Sequence, residues 1–386
     1  MVTARCSARC GRGVRFAAAA AAALLLVAAA PRHAEAQLRV RDFVITLGGS
    51  VEDYSGNLSS VTVPVVDSAN DVTSAVGETA VRAQIVLMEG AERSLELSVD
   101  GGLRQAAAVG FVSRDYAPRE WVGTTELRFR QALGNWGSLG LGVTGRGRSV
   151  TDRTPMPLFL QPGYAIGSGS VNLVTRSIQG VTVDAEVQIE RANYLAAEFL
   201  PQLDLLDRRG KGFELGARWG SAPSNLRVFG GMWWSEYEHQ ASYAPDDPFR
   251  RDRTVRAGAD WSYFGATVVQ IGVEGALNRS NSNRPEYDAV AVRALVSVPL
   301  PSSTTLNAFA VLTGKSYVHD TDFARLVPGE EADNASQVYV QLVKPVAANL
   351  DGAVRVAWTR AETDIGSQYY RRFGLSVELN YRPFAY

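Results

Sequence analysis

Residues 181–190, VTVDAEVQIE, carry the cleanest two-residue alternation in the chain. In an extended chain residues i and i+2 share a face. Val181, Val183, Ala185, Val187 and Ile189 therefore line one side, and Thr182, Asp184, Glu186, Gln188 and Glu190 the other. Three carboxylates in one row are costly to bury in a packed core. They are easily kept in a water-filled lumen, which leaves the apolar row to face lipid. In lipid every backbone donor and acceptor must be paired within the protein, so strands of this kind span a membrane only as a closed cylinder.

The same alternation recurs outward in both directions. Leu95, Leu97, Val99, Gly101 and Leu103 oppose Glu96, Ser98, Asp100 and Arg104; Trp121, Gly123, Thr125, Leu127 and Phe129 oppose Glu120, Thr124, Glu126, Arg128 and Arg130. Near the end Phe373, Leu375, Val377, Leu379 and Tyr381 alternate with Arg372, Ser376, Glu378, Asn380 and Arg382. After residue 36 sixteen such stretches can be counted, although Val61–Val66 could add another and Ala165–Arg176 alternates poorly, so the pattern also admits fourteen or eighteen. Joins after even-numbered stretches are tight (89–93, 133–136, 177–180, 221–225, 263–264, 299–302, 345–350), whereas those after odd-numbered ones are mostly long and polar, such as 55–77, 150–163, 195–210 and 318–334. Short turns on one side and long loops on the other predict an all-β fold: a closed antiparallel outer-membrane barrel, turns in the periplasm and loops outside. A soluble sandwich also alternates, but does not predict one-sided loops. Trp219, Trp234, Trp261 and Trp358, with Tyr263, Tyr287, Tyr317 and Tyr369, lie near strand ends and read as interfacial girdles. Closely spaced Gly140, Gly142, Gly145 and Gly147 suggest curvature of the wall.

The N-terminus reads as a secretory signal over residues 1–36. Arg5, Arg9, Arg12 and Arg15 precede the apolar run Phe16–Ala30, and Ala34-Glu35-Ala36 offers small residues for cleavage before Gln37. The run is shorter than the roughly 20 residues of a membrane helix. Both cysteines, Cys6 and Cys10, fall in this segment, so residues 37–386 hold none, which excludes a disulfide, a thiolate metal site and a cysteine nucleophile there. Of 39 basic and 40 acidic residues, cleavage would remove five arginines and one glutamate, leaving 34 and 39, a net of −5. That balance argues against nucleic acid as a partner. The remaining basic residues are arginines except Lys211, Lys315 and Lys344. One barrel over residues 37–386 is expected, without a linker or plug domain.

Arg128, Arg130, Arg146 and Arg148 are expected to line the pore toward its loop end, with Asp184, Glu186 and Glu190 two strands away. Opposed charges around a water-filled path orient dipolar solutes and tune ion preference. Solvated wall residues that pair across strands are an equal reading. No catalytic residue, cofactor or metal site is expected. His239, near Asp246 and Asp247, and His319, beside Asp320 and Asp322, are placed in long loops, where an outer-rim hydrolase would carry them, but such residues are ordinary in loops. Asp320 and Asp322 alone fall short of a calcium loop.

The final segment, YYRRFGLSVELNYRPFAY, resembles the C-terminal strand of bacterial outer-membrane barrels. That resemblance implies a terminal aromatic signal read by the barrel-assembly machinery, carried here by Phe373, Tyr381, Phe384 and Tyr386, with Pro383 as a departure. Sixteen strands and eight loops resemble the general porins over residues 37–386 in pattern. Their third loop folds into the lumen with acids facing arginines; the corresponding 150–163, VTDRTPMPLFLQPG, has only Asp152. A weaker similarity, through Arg251-Asp252-Arg253, residues 278–283 and Tyr287-Asp288, is to porins of exopolysaccharide systems. These resemblances imply a channel for small polar solutes, or a conduit for a glycan, with outer-membrane lipid as the surroundings.

Overall fold

A computed structural model describes residues 39–56, 72–108, 119–151, 163–195, 203–243, 246–282, 286–319, 336–362 and 369–384. Sixteen strands follow one another: β1 (Arg39–Gly56), β2 (Val72–Glu89), β3 (Arg93–Ala108), β4 (Arg119–Ala132), β5 (Gly137–Thr151), β6 (Gly163–Thr175), β7 (Val181–Leu195) and β8 (Arg208–Ser221). The second half comprises β9 (Ser224–Ala241), β10 (Phe249–Phe264), β11 (Val268–Ser280), β12 (Tyr287–Leu300), β13 (Thr304–Tyr317), β14 (Ser336–Ala347), β15 (Leu350–Glu362) and β16 (Tyr369–Tyr381). Each pairs antiparallel with its neighbours in sequence, and β1 closes onto β16 from Ile45↔Tyr381 to Gly56↔Tyr370. Among the described residues sixteen strands complete the cylinder. The weakly alternating 163–175 segment is a full strand, held by β5 and β7 on its two sides. Closure leaves no edge strand to aggregate.

The wall is inside out relative to a soluble protein. Its exposed large side chains are apolar, among them Val183, Val187, Ile189, Phe213, Leu215 and Leu375, while Glu52, Glu120, Arg148, Asp252 and Glu378 are buried. Concave curvature crowds side chains inside, so the shielded polar row faces the lumen. On β7 the outward apolar residues run from Val181 to Ile189, about 20 Å of height for a tilted strand, close to the belt of a membrane barrel. Even-numbered strands return through short turns: 133–136 after β4 and 301–303 after β12. In the latter Ser302 and Ser303 adopt φ of 64° and 57°, the pair of left-handed residues that a hairpin twist demands. Among the described residues no helix is long and apolar enough to cross a membrane.

The sequence reading needs two adjustments here. Trp219, Trp234 and Trp261 face outward as expected, and Trp261 stacks against Tyr263 with centroids 6.5 Å apart. Tyr287 and Tyr317 do not: they lie opposite each other on the inward parity of β12 and β13, with the Lys315 ammonium over both rings at 4.1 and 4.6 Å. Nearness to a strand end says nothing about face; parity does. His239 belongs to β9 rather than to a loop. The signal segment 1–36, the candidate extra strand 61–66, Asp152, Asp320, Asp322 and Tyr386 lie outside the described residues.

Candidate functional site: the lumenal charge lattice

Inward parity brings charged residues from many strands onto one concave surface, and register decides which of them meet. Arg104 on β3 is the centre of the first group. Its guanidinium donates to Glu52 on β1, through Nε to Glu78 Oε1 on β2 at 2.7 Å, and through Nη1 to Glu120 Oε2 on β4 at 3.4 Å. Glu120 accepts a second bond from Arg148 Nε on β5 at 2.6 Å, and Arg372 on β16 approaches Glu52 at 3.9 Å. Six adjacent strands are tied across the seam where the barrel closes. Arginine suits this work because its planar fork serves several carboxylates at once.

A second group lies across β7 to β10. Arg227 Nη2 donates to Asp184 Oδ2 at 2.6 Å and to Glu214 Oε1 at 2.8 Å, and Arg256 Nη2 reaches Glu214 Oε2 at 2.8 Å. On β10 to β12, Arg293 Nη2 lies 3.4 Å from both Asp260 and Glu274. A third group sets Glu190 within ion-pair range of Arg146 at 3.8 Å and of Arg208 at 3.6 Å, both longer than a hydrogen bond. On the opposite wall Arg355 contacts Glu378 at 2.6 Å, beside Phe309 stacked on Tyr339 at 5.1 Å. Trp233 lies flat on the inner wall: a Cβ on Gly210 or Gly212 would come within 2.3 or 2.4 Å of its indole.

The structure divides the residues expected from sequence. Arg146 and Arg148 stand near the long-loop end of β5, opposite Thr124 and Val122, but Arg128 and Arg130 pair with Gly142 and Gly140, close to the short turn after β4. The expectation that all four crowd the loop end is therefore corrected. β4 runs down as β5 runs up, so neighbours in sequence across a hairpin share a depth only when equally far from its turn. Of the three acids on β7, only Glu190 meets Arg146; Asp184 belongs to Arg227, and Glu186 sits opposite Glu214 without an ion pair among the described residues. Arg128 pairs with Glu126 on its own strand at 2.5 Å. Arg104, Glu52, Glu214 and Arg227, which hold most of the lattice, carry the same inward parity; once turns are known, register identifies them.

His319 Nε2 lies 2.9 Å from Glu286 Oε2, an acid that sequence reading did not connect to it. Asp247 is engaged by Arg251 at 3.1 Å and by the Asn281 amide at 3.1 Å. Where β7 passes to β8, Asp207 Oδ1 accepts the Tyr194 amide at 2.7 Å, and burial pushes its carboxyl above the usual carboxylate range despite that bond. Among the described residues no group of His, Cys, Asp and Glu is arranged to hold a metal ion.

Comparison with known proteins yields architecture only. No family model matches the chain, and no curated protein matches its sequence. Solved structures with a similar course include a bacterial polysaccharide outer membrane secretin (10% identity, TM-score 0.38, covering 87% of this chain and 98% of that one). Another is OmpT, an outer membrane protein of Vibrio cholerae (11%, 0.41, 91% and 100%). A third is OccK2 of Pseudomonas aeruginosa in complex with glucuronate (12%, 0.37, 89% and 99%). At identities and scores this low the likeness extends to the fold alone; an apolar outer belt, a charged inner face and sixteen strands closed end to end are the architecture of a membrane-spanning β-barrel.

Proposed function

We propose that the protein is an outer-membrane channel through which small polar solutes diffuse passively, and not an enzyme. The observation that supports this reading is the lumenal lattice: charged and polar side chains line the inside of a closed barrel whose outside is apolar. A wall of mutually compensated arginines and carboxylates orients dipolar solutes without a strong preference for one ion sign. Arg146, Arg148, Asp184, Glu186, Glu190, Arg128 and Arg130 would shape passage together with Arg104 and Arg227. Delivery by a barrel-assembly machinery that reads the terminal aromatics fits the contact between Phe384 and Phe43, whose ring centroids are 5.9 Å apart beside the closing seam.

Single-channel conductance of the refolded protein in planar bilayers tests the proposal. Stable open steps are expected, and Arg146→Gln/Arg148→Gln should shift selectivity toward cations. A well-folded barrel that never conducts would overturn it. A second reading, a conduit for a glycan, is favoured by one feature: aromatic faces in the lumen at Trp233, Phe309 and Tyr339 offer stacking surfaces for sugar rings. It predicts that added oligosaccharide blocks the current and that Trp233→Ala relieves the block.

A further inference from the structure

The outer surface of β8 to β13 carries two features that meet at one place. The first is a row of outward residues at the long-loop edge of the apolar belt: Lys211 on β8, Trp234 on β9, Arg253 on β10 and Arg279 on β11, each opposite the next in register. Arg253 and Arg279 thus face each other directly, an arrangement in which like charges repel. Arg279 is held, its Nη1 donating to Asp288 Oδ1 at 2.8 Å and to the carbonyls of Asn278 and Tyr287. Among the described residues Arg253 has no ion pair, and its side chain is exposed.

One row nearer the loops the same conflict is resolved within the protein. Arg191 and Arg209 are also opposed, and both reach Glu238 Oε1, at 3.4 and 2.8 Å. Asp247 holds Arg251, and Glu236 lies 3.9 Å from Lys211. Glu238 and Asp247 are thus spent on other cations and Glu236 reaches only Lys211, at long range, so the uncompensated positive charge collects at Arg253, with loosely held Lys211 beside it across Trp234. Two strand spacings separate these cations at the backbone, about 10 Å, a gap their long side chains can close around an anion.

The second feature is a depression of about 670 Å³ directly beneath Arg253 and Arg279. Its sides are two outward rows, Val255, Leu277, Asp288 and Ser316 above, the Asp288 carboxylate being held by Arg279, and Ala257, Gly275, Val290 and Gly314 below. The residues between those rows include Arg256 and Lys315, whose side chains point inward, so an almost wholly apolar wall belongs to the lipid side. Small residues make the hollow: a Cβ at Gly314 would meet nothing within 4 Å.

We propose that this surface binds one acylated, phosphate-bearing lipid of the outer leaflet, its phosphate between Arg253 and Lys211 and one chain in the hollow beneath. The hollow alone would take any acyl chain, and the cations alone any phosphate. Their junction at the depth where the belt ends matches a molecule with both parts. The inference rests on the membrane setting and not on conduction, so a silent pore leaves it standing.

The test uses the refolded barrel in detergent, titrated with dioleoyl phosphatidic acid, dioleoyl phosphatidylcholine and inorganic phosphate, with retained lipid counted by native mass spectrometry. Phosphatidic acid should bind one per barrel, on the order of tenfold tighter than phosphatidylcholine, given the attraction of each cation for an anionic headgroup. Arg253→Gln/Lys211→Gln should abolish that preference. Gly314→Leu, which fills the hollow without touching a charge, should weaken both lipids, and excess inorganic phosphate should displace neither. Heat-modifiable gel mobility verifies that each variant is folded. Equal binding of the two lipids, an undiminished preference in the double variant, full retention in Gly314→Leu, or displacement by inorganic phosphate would each overturn the proposal.

Discussion

Asp207 shows how one side chain can set a pH dependence. Its carboxyl titrates above the usual range because burial outweighs the bond from the Tyr194 amide. The folded chain therefore holds a proton that the unfolded chain has already released in the window above the ordinary carboxylate pKa. Stability contributed here grows as pH falls through that window and is lower at neutral pH. Asp207→Asn keeps an acceptor for the amide and removes the charge. Its denaturation midpoint in detergent should exceed that of the parent at pH 7, with the gap narrowing toward pH 5; an equal or lower midpoint at pH 7 would contradict the burial argument. The turn after β12 offers a second test. Ser303 sits at φ 57°, where a side chain is disfavoured. Ser303→Gly should raise stability by about 0.5–1 kcal/mol in a urea titration into vesicles.

Strands translate residue chemistry into sides. On β7, Val187 faces out and Gln188 in, so two adjacent substitutions should differ sharply. Val187→Arg, one row inside the loop-side edge of the belt, should cost about 1–3 kcal/mol, while Gln188→Arg, in the lumen, should cost little. Comparable losses at both sites would mean that the faces are misassigned. Parity was legible in the sequence at 181–190 because polar and apolar residues alternate without a break. At 163–175 it was not: Gly163, Gly167 and Gly169 give no side-chain signal, and the strand is defined by its partners. Tyr287 and Tyr317 failed for the opposite reason. An aromatic ring suits a lipid interface and a lumen alike, and only the count along the strand separates them.

At the scale of the molecule, closure is the decisive event, and the Arg104 group sits across it. β1 meets β16 through backbone pairing, and Glu52, Glu78 and Glu120 converge on one guanidinium, itself mostly shielded. Arg104→Gln leaves three acids to share Arg148 and Arg372, and should lower stability by about 1–3 kcal/mol. Glu78→Gln in the same chain should restore part of the loss, because it relieves the repulsion. A double variant no more stable than Arg104→Gln alone would show that the carboxylates act independently.

The alternating pattern alone dictates an antiparallel barrel but leaves its strand number open between fourteen and eighteen. Alternation with period two, turns that are short on one side only, and acids repeated on one face admit few structures other than a closed barrel in a membrane, since backbone pairing in lipid forbids an open edge. It also determined which residue types line the lumen, because parity is local. Which of them meet follows from the closed wall. The depth of each residue depends on hairpin length and on bulges such as that at Val86/Met88. Contacts such as Arg104 with Glu52 or Arg227 with Asp184 skip over an intervening strand, where no local pattern reaches. A lumenal lattice is made by curvature bringing distant strands' side chains together, and curvature exists only once the sheet has closed.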